Sequence, residues 1–345
     1  PINLGFTTQV INTYGTVQFG GQLTGTGGYV DYGGNNGVLG GGGLAKGGAG
    51  LLTLTNASNS YTGVTAVLGG TLRPTVVGAI PANANVVIAS NIGNGTSTLD
   101  LATNNIALTV NSLNMGGRNV NGNGSTTGRS VLNTGDASNP LTLAGSVSYD
   151  TTAAAYTATI NGNLALGTAN LGQYNYGNYY WTGVPSYTAR DFNVNDSGNA
   201  APDMNVTAIV SGTAGLAKNG GGMLLLSGNN TYSGATVVTG GSLWITGNNT
   251  YSGATLINPA SNNGGGTLLA RSANALGGNS NTAGVTLFNG GTLAYNAQAD
   301  TQLAIGGNLT VAGVNNNNTT VLAGTIGSTT TSAQINVAGT ATTPL

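Results

Sequence analysis

The chain of 345 residues contains no cysteine and no histidine, and all eight of its acidic residues are aspartate. Without thiols there is neither a disulfide framework nor a thiol nucleophile. Without histidine the commonest general base and the usual zinc ligand sets are missing. Charge is scarce throughout: seven basic residues against eight acidic leave a net charge of -1. Such a chain has no basic face with which to neutralise a run of phosphates, so no nucleic-acid partner is expected. Highly charged disorder and charge-rich coiled coil are disfavoured by the same scarcity. No run of about 18 apolar residues occurs, so no transmembrane helix is expected. Residues Pro1 to Val10 lack the charged-then-apolar layout of a signal peptide. No cofactor and no catalytic residue is expected.

What the chain has in abundance is glycine, 61 residues of it, and repetition. The nonapeptide GNNTYSGAT at Gly228 to Thr236 recurs letter for letter at Gly247 to Thr255. A spacing of 19 residues is too short for a helical pair but suits one coil of a β-solenoid. A longer unit is duplicated too: Leu44 to Leu72 and Leu216 to Leu243 share their layout, with the chain's two lysines, Lys46 and Lys218, at the same point. Within the unit the apolar period is two, as in strands: Leu224, Leu226, Tyr232 and Val238 share one parity. After Gly240 and Gly241 the parity switches to Leu243, Ile245, Tyr251 and Ile257, and paired glycines suit a corner there. Stacking in register would lay Asn230 over Asn249, Tyr232 over Tyr251 and Thr236 over Thr255. Uncharged side chains tolerate such ladders without self-repulsion. No stretch reads as a helix of three turns. The expectation is an all-β chain of about 18 coils, a rod approaching 90 Å at about 4.8 Å per coil, shortened by any insertion.

These residues resemble the passenger-associated transport repeat, also called the autotransporter-associated β-strand repeat. Its signature starts Leu-x-Lys-x-Gly-x-Gly-x-Leu-x-Leu, continues with Asn-x-Tyr-x-Gly-x-Thr and closes with Gly-Gly-x-Leu. Leu44, Lys46, Gly48, Gly50, Leu52, Leu54, Asn59, Tyr61, Gly63, Thr65, Gly69, Gly70 and Leu72 match it in turn. So do Leu216, Lys218, Gly220, Gly222, Leu224, Leu226, Asn230, Tyr232, Gly234, Thr236, Gly240, Gly241 and Leu243. Asn249, Tyr251, Gly253 and Thr255 make a partial third copy. The resemblance implies a right-handed parallel β-helix, secreted or displayed on a bacterial cell surface, and it implies no reaction.

Four regions are expected: N-terminal strands over 1–43 as a cap or donor segment, a first solenoid module over 44–146, a Tyr/Trp-rich insertion over 147–215, and a second module over 216–345. In the insertion Tyr174, Tyr176, Tyr179, Tyr180, Trp181 and Tyr187 are candidate binding residues, for a partner or for surface glycans. The alternative is that these rings cover a hydrophobic flank of the solenoid. Asp191, Asn193, Asn195 and Asp196 place oxygens at alternate positions like the start of a calcium loop, but no glutamate closes it, and a solvated turn explains them equally. Asp191, Asp196 and Asp203 are the only acidic group close in sequence; Asp31, Asp100, Asp136, Asp150 and Asp300 are scattered, which argues against a polysaccharide-degrading enzyme. The leading expectation is a structural or adhesive extracellular protein. Open strand edges at its ends would favour head-to-tail or strand-donating homo-oligomers.

Overall fold

The computed structural model describes residues 1–5, 8–26, 42–89, 95–116, 128–149, 156–168, 173–174, 187–198, 202–259, 265–288, 290–295, 303–312, 321–323, 326–328 and 335–338. They contain strands and turns and no α-helix. The chain divides into two compact units, Pro1–Ala165 with Ser197–Ala208, and Leu166–Asp196 with Ile209–Leu345.

In the first unit the chain alternates between two parallel sheets. One runs in the order Thr16–Phe19, Leu51–Leu54, Gly70–Pro74, Thr96–Asp100, Arg129–Asn133, Ala158–Asn161 and Met204–Val206. The other stacks Gln9–Asn12, Leu44–Gly47, Thr65–Val67, Ala84–Ile88 and Leu108–Met115. Leu108–Met115 then carries both Leu141–Leu143 and Val147–Tyr149. Each passage through both sheets returns the chain beside its previous turn, which is a β-solenoid.

The second unit repeats the arrangement. Met223–Leu226, Ser242–Ile245, Thr267–Ala270, Thr292–Tyr295 and Val321–Ala323 form its first sheet. Tyr187–Val194, Gly215–Asn219, Thr236–Val238, Thr255–Ile257, Val285–Leu287, Leu309–Ala312 and Ile335–Ala338 form its second. A third side is held by backbone bonds such as Thr231 N–H to Val210 O at 2.8 Å and Thr250 N–H to Asn230 O at 2.9 Å. Gln173–Tyr174 pairs antiparallel with the start of Tyr187–Val194, Tyr174 opposite Tyr187.

The coil is not of constant length. Thr236 faces Thr255, nineteen positions on, but Thr255 faces Val285, thirty positions on. A parallel ladder needs only that strands re-enter in register, so added residues are absorbed in the turns.

The period-two pattern has its reason in the first sheets. Leu224, Leu226, Leu243, Ile245 and Leu268 point inward and are fully buried, and their neighbours alternate outward. The second sheets are buried on both faces. In the first unit Ala45, Ala66 and Val87 line the outward side with Val64, Leu68 and Ala89; in the second Ala217, Val237 and Leu256 do so with Ala189, Ala235 and Phe288. At the corners, Gly48 and Gly220 have φ of +71° and +79°, and Gly70 and Gly241 have +62° and +60°. A Cβ at Gly220 would collide with the carbonyl of Val194, and one at Gly241 with the backbone of Gly220 to Gly222. Only glycine combines that backbone angle with so close an approach of one coil to the next.

Candidate functional site

The coil interior consumes the distinctive polar residues of the repeat. Tyr61, Tyr232 and Tyr251 lie inside and share a hydrogen bond with the threonine four residues on: Tyr61 with Thr65 at 2.8 Å, Tyr232 with Thr236, and Tyr251 with Thr255 at 3.1 Å. The rings of Tyr232 and Tyr251 stack with centroids 5.0 Å apart and planes 5° from parallel. Burial pushes all three phenols up, Tyr251 to about 12, so each stays neutral.

The buried asparagines tie coils together. Asn230 accepts from Val210 N–H at 3.0 Å, and Asn249 accepts from Asn230 N–H at 2.8 Å while donating to Ala275 O at 2.9 Å. In the first unit Asn59 accepts from Leu23 N–H and donates to Ala79 O, both at 2.8 Å. A side-chain amide has a donor and an acceptor to offer, so one residue can bridge three successive coils.

The two lysines are the residues whose role the sequence reading missed. Lys46 and Lys218 have no exposed surface. Lys46 Nζ donates to the carbonyls of Gly47 at 2.7 Å, Gly48 at 2.8 Å and Gly69 at 2.8 Å. Lys218 Nζ donates likewise to Asn219 at 2.9 Å, Gly220 at 2.8 Å and Gly240 at 3.1 Å. In each case two carbonyls belong to the corner of the lysine's own coil and the third to the next coil, so the ammonium joins the two. Burial pulls Lys46 down to about 8, which leaves it charged at neutral pH. The signal was available: Lys46 shares the parity of Leu44, and Lys218 that of Leu216.

Outside, the two units differ. In the first, one outward row reads Gln18, Thr53, Arg73, Asp100, Asn133 and Asn161. Arg73 Nε meets Asp100 Oδ2 at 2.9 Å, and Asn161 donates to Asn133 at 2.9 Å. Burial pushes the Asp100 carboxyl up, but the Thr103 hydroxyl and amide and the Arg73 guanidinium outweigh it and hold it below the usual range. The corresponding row of the second unit is Leu225, Trp244, Leu269 and Ala294, all half-buried. The exposed Arg271 lies over the Trp244 ring, 5.1 Å from its centroid.

Of the aromatic candidates, Tyr174 and Tyr187 are described only as facing strand positions, and Tyr176, Tyr179, Tyr180 and Trp181 lie outside the described residues. Of the calcium candidates, Asp191 and Asn193 sit on one strand and share the amide of Asn219, at 2.9 and 3.2 Å. Burial raises the Asp191 carboxyl. Asn195 and Asp196 are exposed beyond the strand end. Asp203 belongs to the first unit, where it accepts from Ser197 N–H and Oγ. No group of three or more acidic residues able to hold a metal is found among the described residues. Among the described residues no helix is long and apolar enough to cross a membrane, which says nothing of β-barrels.

Three stretches of the chain, residues 44–73, 216–245 and 245–258, match the family described as passenger-associated-transport-repeat. No curated protein and no solved structure matches the chain.

Proposed function

Because the chain carries passenger-associated-transport repeats, we propose that it is a structural segment of a surface-displayed passenger, a β-solenoid stalk without enzymatic activity. Repeats of this family belong to autotransporter passenger domains, which places the family at the cell surface or outside the cell. The observation that carries the reading is how the repeat spends its polar residues. Lysine, asparagine, tyrosine and threonine of both modules are turned inward, where lysine and asparagine bond coil to coil and each tyrosine bonds the threonine of its own coil. Asp100, Asp136, Asp191 and Asp203 are spread over turns and strand faces, each bonded to separate donors. Right-handed winding belongs to the same proposal, since parallel strands joined by crossovers are right-handed in about 98% of cases.

Self-association is part of the proposal. Thr16–Phe19 is the outermost strand of its sheet, and nearby Val10 and Tyr14 are 52% and 85% exposed. An edge strand flanked by exposed apolar groups is a template for β-augmentation. Electron microscopy of the purified chain tests this: filaments are expected, shortening to single particles when Thr16 and Gln18, whose N–H groups face away from Leu51–Leu54, are replaced by proline. Single particles at every concentration, or filaments indifferent to those prolines, would defeat the self-association. Release of oligosaccharides from a polysaccharide panel, abolished in Asp191→Asn, would defeat the non-enzymatic reading.

A further inference from the structure

We propose that the outer face of the second unit's first sheet, centred on Trp244 and Arg271, is a ledge that binds a carboxylate-bearing polysaccharide. It rests on the stalk reading only in placing the ledge where glycans are met.

Three rows define the ledge. The central row is Leu225, Trp244, Leu269 and Ala294, one residue from each of four adjacent strands. On one side runs a row with the hydroxyls of Ser242, Thr267 and Thr292. On the other, Thr246 and Arg271 follow Ile245 and Ala270, whose register places them side by side. A sugar ring is amphipathic in the same sense, with a C–H face that stacks on indole and hydroxyls at its rim. The apolar row between a hydroxyl row and a row with Thr246 and Arg271 suits that pattern.

Charge selects the acidic class. The guanidinium of Arg271 finds no carboxylate partner among the described residues and rests on the Trp244 ring instead. At the corresponding row of the first unit, Arg73 is neutralised by Asp100. An unpaired guanidinium beside an aromatic ring can grip a carboxylate through two parallel N–H bonds while the ring holds the sugar face.

Size argues against a protein partner. Four strands at about 4.8 Å and a width of about two residue steps to either side give a ledge of roughly 200 Å². A stable protein interface needs about 800 Å² from each partner. A short run of sugar residues needs far less.

The test is binding of the purified chain to a polyuronate oligomer, read by calorimetry and by tryptophan emission, beside a neutral glucan of equal length and a polyglutamate peptide. Saturable binding of the polyuronate alone is expected, with an emission change that Trp244→Phe abolishes. Trp244→Ala and Arg271→Ala should each weaken binding roughly tenfold, and Arg271→Lys should recover only part, since lysine lacks the paired donors. Both side chains point outward, so unchanged denaturation midpoints will show that the variants fold. Equal binding of the glucan or preference for the peptide would overturn the proposal. So would affinity unchanged in the variants, no binding at all, or a self-associated chain dispersed by Trp244→Ala. Apart from that dispersal, these outcomes do not bear on the filaments, which microscopy tests separately.

Discussion

Residues 44–73 and 216–245 are two copies of one unit that have kept their interiors and parted on their outer surfaces. Inside, lysine, tyrosine and threonine recur with the same partners, Lys46 and Lys218 on corner carbonyls, Tyr61 and Tyr232 on Thr65 and Thr236, and Asn59 and Asn230 both accept a backbone N–H from the preceding coil. Outside, Thr53 and Arg73 occupy the positions that Leu225 and Trp244 occupy in the other copy. A buried polar group must be bonded or it costs several kcal/mol, so each interior partner constrains the next. An outward residue on a flat sheet answers only to solvent and to a ligand. The interior therefore preserves the coil, and the surface is where the copies acquire different tasks.

The sharpest way to break this comparison is to empty the interior. Tyr61→Ala and Tyr232→Ala should each destabilise their own unit by about 4 kcal/mol, by cavity formation and loss of the threonine's partner. Hydrogen exchange resolved by region checks this. A loss under about 1 kcal/mol in either copy would mean the two interiors are not equivalent. Next come Lys46→Met and Lys218→Met, which keep the apolar stem but remove three hydrogen bonds to carbonyls; about 3 kcal/mol is expected from each. Denaturant titration followed in each unit measures it, and unequal losses would separate the copies.

Acid gives a smaller and opposite pair of effects. Asp100 is held below the usual carboxyl range, so its contribution to the first unit is present above the unfolded value and is lost as pH falls through the folded one. Asp191 is raised by burial, so the second unit gains from it as pH falls from neutral through its folded value. Protection factors, taken relative to the intrinsic exchange rate at each pH, should therefore move in opposite senses at the two sites between neutral pH and pH 3. Asp100→Asn and Asp191→Asn should each remove their own share. The smallest effects belong to the outer rows: Leu225→Thr and Trp244→Arg should shift stability by no more than about 0.5 kcal/mol. Arg73→Ala should cost less than about 1 kcal/mol, since its ion pair is partly solvated. A large loss from any of these would show that the outer face also holds the coil.

Much of the interior was legible because its spacing is local. The nineteen-residue spacing of the two nonapeptides brings Tyr232 beside Tyr251 and Asn230 beside Asn249 whatever the rest of the chain does. The inward direction of Lys46 was written in the same parity but went unread, because a lysine among leucines looks like a surface residue until its carbonyls are seen. The ledge was harder. Trp244 and Arg271 are separated by a longer coil, and only the observed register brings them together. Arg73 and Asp100 meet across a similar gap. The aromatic residues that drew notice first, Tyr176, Tyr179, Tyr180 and Trp181, remain outside the described structure.

By itself the amino-acid order determined that this chain is built of strands, that its corners fall at paired glycines, and that neutral side groups repeat at the step of one coil. Those follow from backbone angles and from a period of two, which any short stretch displays. Only the tertiary structure decided how long each excursion between strands is, which arginine finds an aspartate and which an indole, and that both lysines end on carbonyls. Those outcomes depend on which coil lies beside which, and register is a property of the stacked chain.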